Sequence, residues 1–554
     1  MENSTEQEQY KENRAAQQEK MMRGTMWFTL ADILSRLLGA IYIIPWYAWM
    51  GTHDAQANAL FSMGYNIYAL FLLISTAGIP VAIAREVAKY NAMGDENLSY
   101  RLVRQMFVFM TGLGIISALV MYFASPLLAS WSGGGSDLIP VMRSLSLSIL
   151  IFPGMSVIRG YFQGLNNVKP IALSQIYEQI VRVIWMLVLT FMIVRIGFAG
   201  GDWKVAVMQS TLAAFIGMLG SCAVLLWFLI KEKMLRQIIF PGPAKNKIHP
   251  GRLLVQTIYQ SIPFIVIGSA IQIFKIVDQM SFSSVMHIVT HYSDAQLQVF
   301  FSYFSANTDK LTMILIGEAM TLGAVALPLI TSNFVEGNYR ETAHLISYDI
   351  QLFAAFMFPA VMGMVVLSYP IYNIFYGAPS SLQISLFVWT LIQAILLALY
   401  TMLAPILQAL RYSRVALRYF AMTFVAKLVL QIPAILIFRT YGPLVATTLA
   451  MAWGCWLLIR KIHEVTHFSK KNVTRGVIGI TILTVIMMFV TAILYVIIAG
   501  LFFWLDGGRI KSFIEVLVAG GGGFFAYIWL AAQLGLLEKL LGARGTSLRR
   551  RLHI

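Results

Sequence analysis

The chain has 554 residues, 58% of them hydrophobic and only 12% charged, with a mean hydropathy of +0.72. Soluble domains carry about 25% charged residues, so this composition excludes an ordinary soluble protein. The 41 Lys and Arg exceed the 25 Asp and Glu by 16, an excess that suggests nucleic acid in a soluble chain but must first be assigned to loops in a membrane chain.

Residues 1–22 are polar and rich in Glu and Gln, with no apolar core; they read as a cytoplasmic surface tail and not as a signal peptide. Apolar segments follow at 23–50, 60–84, 104–124, 138–158, 171–196, 204–230, 253–286, 307–331, 345–368, 382–410, 415–438, 441–460, 475–505 and 511–538. Each approaches or exceeds the roughly 20 residues that cross a bilayer, which predicts fourteen membrane helices, spans 1–14. The longest loops, near 231–252 and 287–306, leave no room for a soluble catalytic domain. No phosphate-binding loop of the G-x-x-x-x-G-K-[ST] type occurs. Cys222 and Cys455 sit in apolar stretches and form neither a disulfide framework nor a zinc-site spacing.

An even span count puts both termini on one side. With that side cytoplasmic, thirty Lys and Arg fall on inside segments and only Arg195, Lys204, Arg439, Arg509 and Lys511 fall outside. This is the asymmetry of the positive-inside rule, and a miscounted span would scramble it downstream. The expected protein is therefore a multi-pass plasma-membrane protein with both termini cytoplasmic.

A repeat is visible inside the chain. Arg159–Val183 has the layout of Ala404–Leu428 at an offset of 245, with Gln163 on Gln408 and Arg182 on Lys427. Gly78-Ile79-Pro80 resembles a turn at Ala326-Leu327-Pro328, Pro126 falls near Pro370, and Arg36 falls on Lys275. Two six-helix halves of like orientation follow, the parallel-repeat arrangement of some transporters. The expected fold is an all-α polytopic membrane protein with fourteen transmembrane helices, two six-helix lobes and two C-terminal helices. The divisions are a tail at 1–22, an N-terminal lobe at 23–230, a basic linker at 231–252, a C-terminal lobe at 253–462, the last two helices at 463–540 and a basic tail at 541–554.

Ionisable residues inside a membrane cost at least about 2.5–3.5 kcal/mol each, so they point to function. The cations are Arg36, Arg143, Arg182, Lys275, Lys310 and Lys427; the interior acids are Asp32, Glu178, Asp278 and Glu318. Asp32 with Arg36, Glu178 with Arg182, and Lys275 with Asp278 have the spacing of pairs along one helix. Such pairs could simply lock helices. Lys427 and Arg143, however, have no acid within a turn. The central cations also come from equivalent spans of the two halves, which predicts a positive cavity at mid-membrane. Arg forks match phosphate oxygens, so the cavity calls for an anionic, phosphate-bearing cargo. Ser35, Gln175, Gln179, Gln272, Gln408 and Gln431 could bond sugar hydroxyls or other helices. Trp27, Trp46, Trp49, Trp185 and Trp203 fit an interfacial belt.

His463-Glu464-Val465-Thr466-His467 matches H-E-x-x-H, and Asp506 could complete a zinc site. Span 13 separates the two by about 30 Å of bilayer, so no metal and no catalytic residue is assigned.

The stretches Ser75–Asp95, STAGIPVAIAREVAKYNAMGD, and Arg159–Val183, RGYFQGLNNVKPIALSQIYEQIVRV, resemble the MurJ/SpoVB/YtgP-type lipid flippases. These belong to the multidrug/oligosaccharidyl-lipid/polysaccharide exporter superfamily. The resemblance covers nearly the whole chain. It implies alternating-access movement of an undecaprenyl-pyrophosphate-linked cell-wall precursor, lipid II foremost, from inner to outer leaflet. It also implies a two-lobed fold around a cationic cavity, with the last two helices forming a groove for the lipid tail. Family cavity cations on spans 1, 2 and 8 correspond to Arg36, Arg85 and Lys310. Some relatives hold sodium with acids on spans 7, 11 and 12; here span 7 offers Asp278, but spans 11 and 12 carry no acid. The expected partners are the anionic lipid-linked glycan and membrane lipids, with no nucleic acid and a monomeric state. No cofactor is expected, and the drive is membrane potential or a monovalent cation. Alternatives are a flippase for a capsule or teichoic unit and a cation–drug antiporter. Antiport needs acids exposed in the cavity, and a glycosyltransferase would need an acidic cluster that the chain lacks.

Overall fold

The computed structural model describes residues 34–35, 38–39, 41–76, 79–243, 262–263, 265–502, 507–536 and 538. Their secondary structure is helical throughout, as a backbone without water partners requires. In chain order the helices are α1 (Ile43–Met50), α2 (Asp54–Thr76), α3 (Ile79–Ala92), α4 (Glu96–Trp131), α5 (Gly135–Gly164), α6 (Lys169–Thr190), α7 (Trp203–Lys231) and α8 (Met234–Ile239). There follow α9 (Ala270–Val289), α10 (Asp294–Phe301), α11 (Asn307–Val335), α12 (Tyr339–Val366), α13 (Ser368–Tyr376), α14 (Ser381–Ala409), α15 (Ser413–Phe438), α16 (Gly442–Thr466), α17 (Lys470–Leu501), α18 (Arg509–Glu515) and α19 (Gly521–Gln533).

Eleven helical stretches among the described residues are long and apolar enough to cross a membrane. The protein is an all-α polytopic membrane protein. One of those stretches, Ser413–Thr466, reverses at Arg439, whose φ of 50° is left-handed, so it holds α15 and α16 as two helices. At the reversal Gly442 has no room for a side chain, since a β-carbon there would collide with the backbone of Ile435.

Several sequence expectations need correction. The loop expected at 287–306 is helical over most of its length. Ser293 caps α10 in a reciprocal box with Gln296, and a π-turn at Ser302–Ala306 carries the helix on into α11. The turn expected at Ala326–Pro328 is absent, because Pro328 lies inside α11. Proline is tolerated there because neighbouring helices in a membrane bundle can re-satisfy the freed carbonyl. Trp46 is not part of an interfacial belt: it is 1% exposed and its Nε1 donates to Ser210 Oγ at 2.8 Å.

The chain forms two compact units. The first comprises residues 1–50, 60–130 and 134–265; the second comprises 51–59, 131–133 and 266–554. Inside the first, α5 crosses α3 with backbone in contact. A β-carbon on Gly160 would lie 2.6 Å from the carbonyl oxygen of Pro80, and one on Gly164 would lie 2.6 Å from that of Ala84. This is a small-x-x-x-small contact, the device by which membrane helices approach most closely. It also joins the two stretches, STAGIPVAIAREVA and RGYFQG, that carry the family resemblance.

Candidate functional site: intramembrane cations and their partners

In the first unit α5, α6 and α7 bring Arg159, Glu178, Ser174 and Ser221 together. Arg159 Nη2 meets Glu178 Oε2 at 2.7 Å and donates to Ser221 Oγ at 2.8 Å, while its Nε donates to Ser174 Oγ at 3.2 Å. The side chains are only 14% and 18% exposed. Glu178 was expected to pair with Arg182, one turn along α6. Its ion pair is with Arg159 instead, because α5 supplies a guanidinium directly across the helix contact. Sequence reasoning missed Arg159: the apolar run ends at residue 158, whereas α5 continues to Gly164.

Arg182 takes a different environment. Its guanidinium lies 5.8 Å from the centre of the Tyr65 ring, near Tyr42 and Tyr68, and its buried Nε has no hydrogen-bond partner among the described residues. A cation over an aromatic face is stabilised without using up its N–H donors. Among the described residues the Arg182 Nε–H is therefore left without an acceptor.

In the second unit Lys427 on α15 is fully enclosed. Its Nζ lies 2.5 Å from Asp278 Oδ1 on α9, 2.6 Å from Thr447 Oγ1 and 3.1 Å from the Pro443 carbonyl on α16. Gln431 Nε2 donates to the same Asp278 oxygen at 3.0 Å and to Ser281 Oγ at 2.8 Å. The reading of Lys427 as a cation without an acid is thus corrected, as is the Lys275–Asp278 pair. Lys275 instead pairs with Asp309 on α11 at 2.8 Å, both partly exposed at 16% and 19%. Ser305 Oγ donates to the same carboxylate oxygen, Asp309 Oδ2, at 3.3 Å.

Lys310, the next residue on α11, donates to Asn58 Oδ1 at 3.0 Å. Asn58 Nδ2 donates to Asn307 Oδ1 at 2.6 Å, and Asn307 Nδ2 donates to the Tyr372 hydroxyl at 2.7 Å. Neither asparagine was singled out by sequence, since an amide in an apolar run carries no charge signal. Arg143 is exposed on α5, its guanidinium 4.7 Å from the centre of the Tyr122 ring. Arg85 is exposed on α3 and Glu318 half-buried on α11. Arg36 and Asp32 lie outside the described residues.

The H-E-x-x-H residues are drawn into local contacts at the end of α16. Glu464 pairs with Lys461 at 2.6 Å, and His463 Nδ1 faces the Phe468 carbonyl oxygen at 3.0 Å. Asp506 lies outside the described residues.

The cations thus separate by what they can offer a ligand. Lys427 is sealed and saturated with oxygen partners. Among the described residues Arg182 retains an unpartnered donor, and Lys275 sits in a partly exposed ion pair.

Comparison with known proteins gives a consistent result. The profile of the family described as "Polysaccharide biosynthesis protein" matches residues 21–334. The chain is 32% identical over 538 residues to "Lipid II flippase MurJ" of Bacillus subtilis (strain 168), covering 95% of this chain and 97% of that one. In fold it is similar to a solved structure titled "Lipid II flippase MurJ, inward closed conformation", with a TM-score of 0.64 at 17% identity, covering 92% of this chain and 99% of that one. A multidrug resistance MATE family transporter of the MOP superfamily in an inward-facing conformation is also similar, with a TM-score of 0.58 at 15% identity over 78% of this chain and 96% of that one. With helices, intramembrane cations and full-length similarity in agreement, the chain belongs to the polysaccharide biosynthesis protein family, among the relatives of the lipid II flippase MurJ.

Proposed function

We propose that the protein flips lipid II, the undecaprenyl-pyrophosphate-linked cell-wall precursor, from the inner to the outer leaflet of the plasma membrane. It is a transporter and not an enzyme. The observation that carries this reading is the 32% identity sustained over 95% of the chain to a protein named for that activity. The chemistry of the charged residues supports it. Arg182 with its unpartnered Nε–H in the first unit, and Lys275 in its partly exposed pair and Lys310 in the second, are each suited to bind phosphate oxygens, and Arg36, Arg85 and Arg143 are the other cations of this proposal. Lys427 is not among the contacts, because its ammonium is fully enclosed.

The finer architecture belongs to the same proposal. The chain has fourteen spans, two six-helix halves of like orientation, both termini in the cytoplasm, and acts as a monomer. Each net positive charge carried across the membrane would couple to about 2.3 kcal/mol per 100 mV, enough to reset the transporter. Sodium is not required at the second unit's oxygen cage. The carboxylate of span 7 and the hydroxyl and carbonyl of span 12 form a donor set suited to a monovalent cation, and the Lys427 ammonium already fills it.

The test is translocation of lipid II in cells depleted of the native protein. Arg182→Ala and Lys275→Ala are expected to lose flipping by tenfold or more while the protein still reaches the membrane, since one charge-assisted contact to phosphate contributes about 1.5–3 kcal/mol. Asp309→Asn separates loss of the cation from loss of the pair, and is expected to retain flipping. Normal outer-leaflet lipid II in both cation variants would remove the site assignment. Accumulation of a different polyprenyl-linked glycan on depletion would move the cargo to that glycan. Replacing external sodium by choline is expected to leave the flipping rate unchanged.

A further inference from the structure

The first unit contains a crevice that the proposed transport does not use. It has a volume of about 840 Å³, within the range of about 300–1,000 Å³ typical of ligand sites. Its walls are apolar side chains of α4, α5 and α7, among them Phe107, Ile115, Leu150 and Leu226, and the short helix α8 closes one end through Leu235 and Ile238. The other lining groups along α4 run from Arg104 to Ile115. Eleven steps of 1.5 Å each give a depth of about 16 Å. That is about half of a 30 Å hydrocarbon core, the thickness of one leaflet.

The mouth is polar and basic. An adjoining hollow of about 650 Å³ shares Arg104 and Val108 with the crevice and adds Arg101 and Gln105. Arg101 Nε donates to the Gly242 carbonyl at 3.1 Å and Asn97 Nδ2 to the Pro243 carbonyl at 3.3 Å, so the segment after α8 is tied to the start of α4. Arg104 is exposed at the junction of the two hollows. Around it, residues 96–104 and 231–240 carry Arg101, Lys231, Lys233 and Arg236 against only Glu96 and Glu232. Phe240, 77% exposed, stands at the same rim where an aromatic ring suits the headgroup layer.

We propose that this crevice is a binding site for an anionic glycerophospholipid of the leaflet that faces the basic loops. Its acyl chains lie between α4, α5 and α7, and its phosphate lies against Arg104 with Arg101 beside it. Basic pockets between membrane helices on the cytoplasmic side are the setting in which anionic headgroups are recognised. The occupant is a bilayer lipid and not the cargo, because one leaflet of depth suits acyl chains of ordinary length.

The experiment measures lipid retained by the purified full-length protein after incubation with an equimolar mixture of phosphatidylglycerol and phosphatidylcholine, read by native mass spectrometry. The wild type is expected to prefer phosphatidylglycerol. Arg104→Gln is expected to lose about fivefold of that preference, the equivalent of about 1 kcal/mol for one basic residue at an anionic surface. Arg104→Lys is expected to keep most of it. Ala223→Trp, which fills the exposed wall of the crevice, is expected to lower retention of both lipids. Melting temperatures of the variants monitor folding. Equal uptake of the two lipids by the wild type, or an unchanged preference in Arg104→Gln, would overturn the proposal. So would displacement of phosphatidylglycerol by an equimolar amount of undecaprenyl pyrophosphate, which would give the crevice to the cargo. Because the readout is retention, it stands apart from whether the protein flips lipid II.

Discussion

At the scale of single residues, the membrane interior makes charge placement stringent. Lys427 and Asp278 are held by two further oxygens and an amide, so neither charge is left without partners. Removing one partner from such a buried pair costs about 3–5 kcal/mol, whereas replacing both by apolar groups of similar volume is often neutral. Lys427→Met is therefore expected to lower thermal stability in detergent markedly, and the double variant Lys427→Met/Asp278→Leu is expected to recover most of it. A double variant no more stable than the single one would contradict the pair's role. The intramembrane charges were legible in the sequence; their partners were not. A sequence displays only neighbours one helical turn apart, such as Glu178 with Arg182 and Lys275 with Asp278. The folded chain chose Arg159, Asp309 and Lys427 instead, from other helices.

At the scale of helices, apolar runs announced the spans because the bilayer sets their length. Helix ends were less legible, since helices continue past the hydrocarbon into polar sequence. The extension of α11 backwards through Ser302–Ala306 to Asp294, and of α5 forwards to Gly164, are both of this kind. The second extension carries Gly160 and Gly164 onto α3. Gly160→Val or Gly164→Val would force branched side chains against backbone, an overpacking that costs about 1–3 kcal/mol or more. Each is expected to lower the melting temperature or the yield of folded protein. Gly112→Val on α4, where a β-carbon meets nothing within 4 Å, is the matched control and is expected to behave like wild type. Equal loss in all three would show that the α3–α5 contact is not special.

At the scale of the whole chain, the basic excess is mostly a statement about orientation. Thirty of the Lys and Arg lie on segments assigned to one side, five on the other. With Cys222 and Cys455 replaced by alanine, a cysteine introduced at Lys233 is expected to resist a membrane-impermeant maleimide in intact cells. One introduced at Ala199, in the turn between α6 and α7, is expected to react. The opposite pattern would invert the topology. Composition revealed the class of an all-α polytopic membrane protein. The asparagines at 58 and 307 and the lipid crevice were invisible, because uncharged amides and apolar walls look like any other part of a membrane helix.

The ammonium of Lys427 has one more consequence. A captured ion must be found in the surroundings, dehydrated and held, and its occupancy follows the salt outside. A lysine brings its charge with the chain, and it arrives in the cage when the helices assemble. The packing of α9, α15 and α16 around that point is therefore expected to be as complete in fresh water as in brine. A cell that meets shifting salinity would keep this part of the protein assembled throughout.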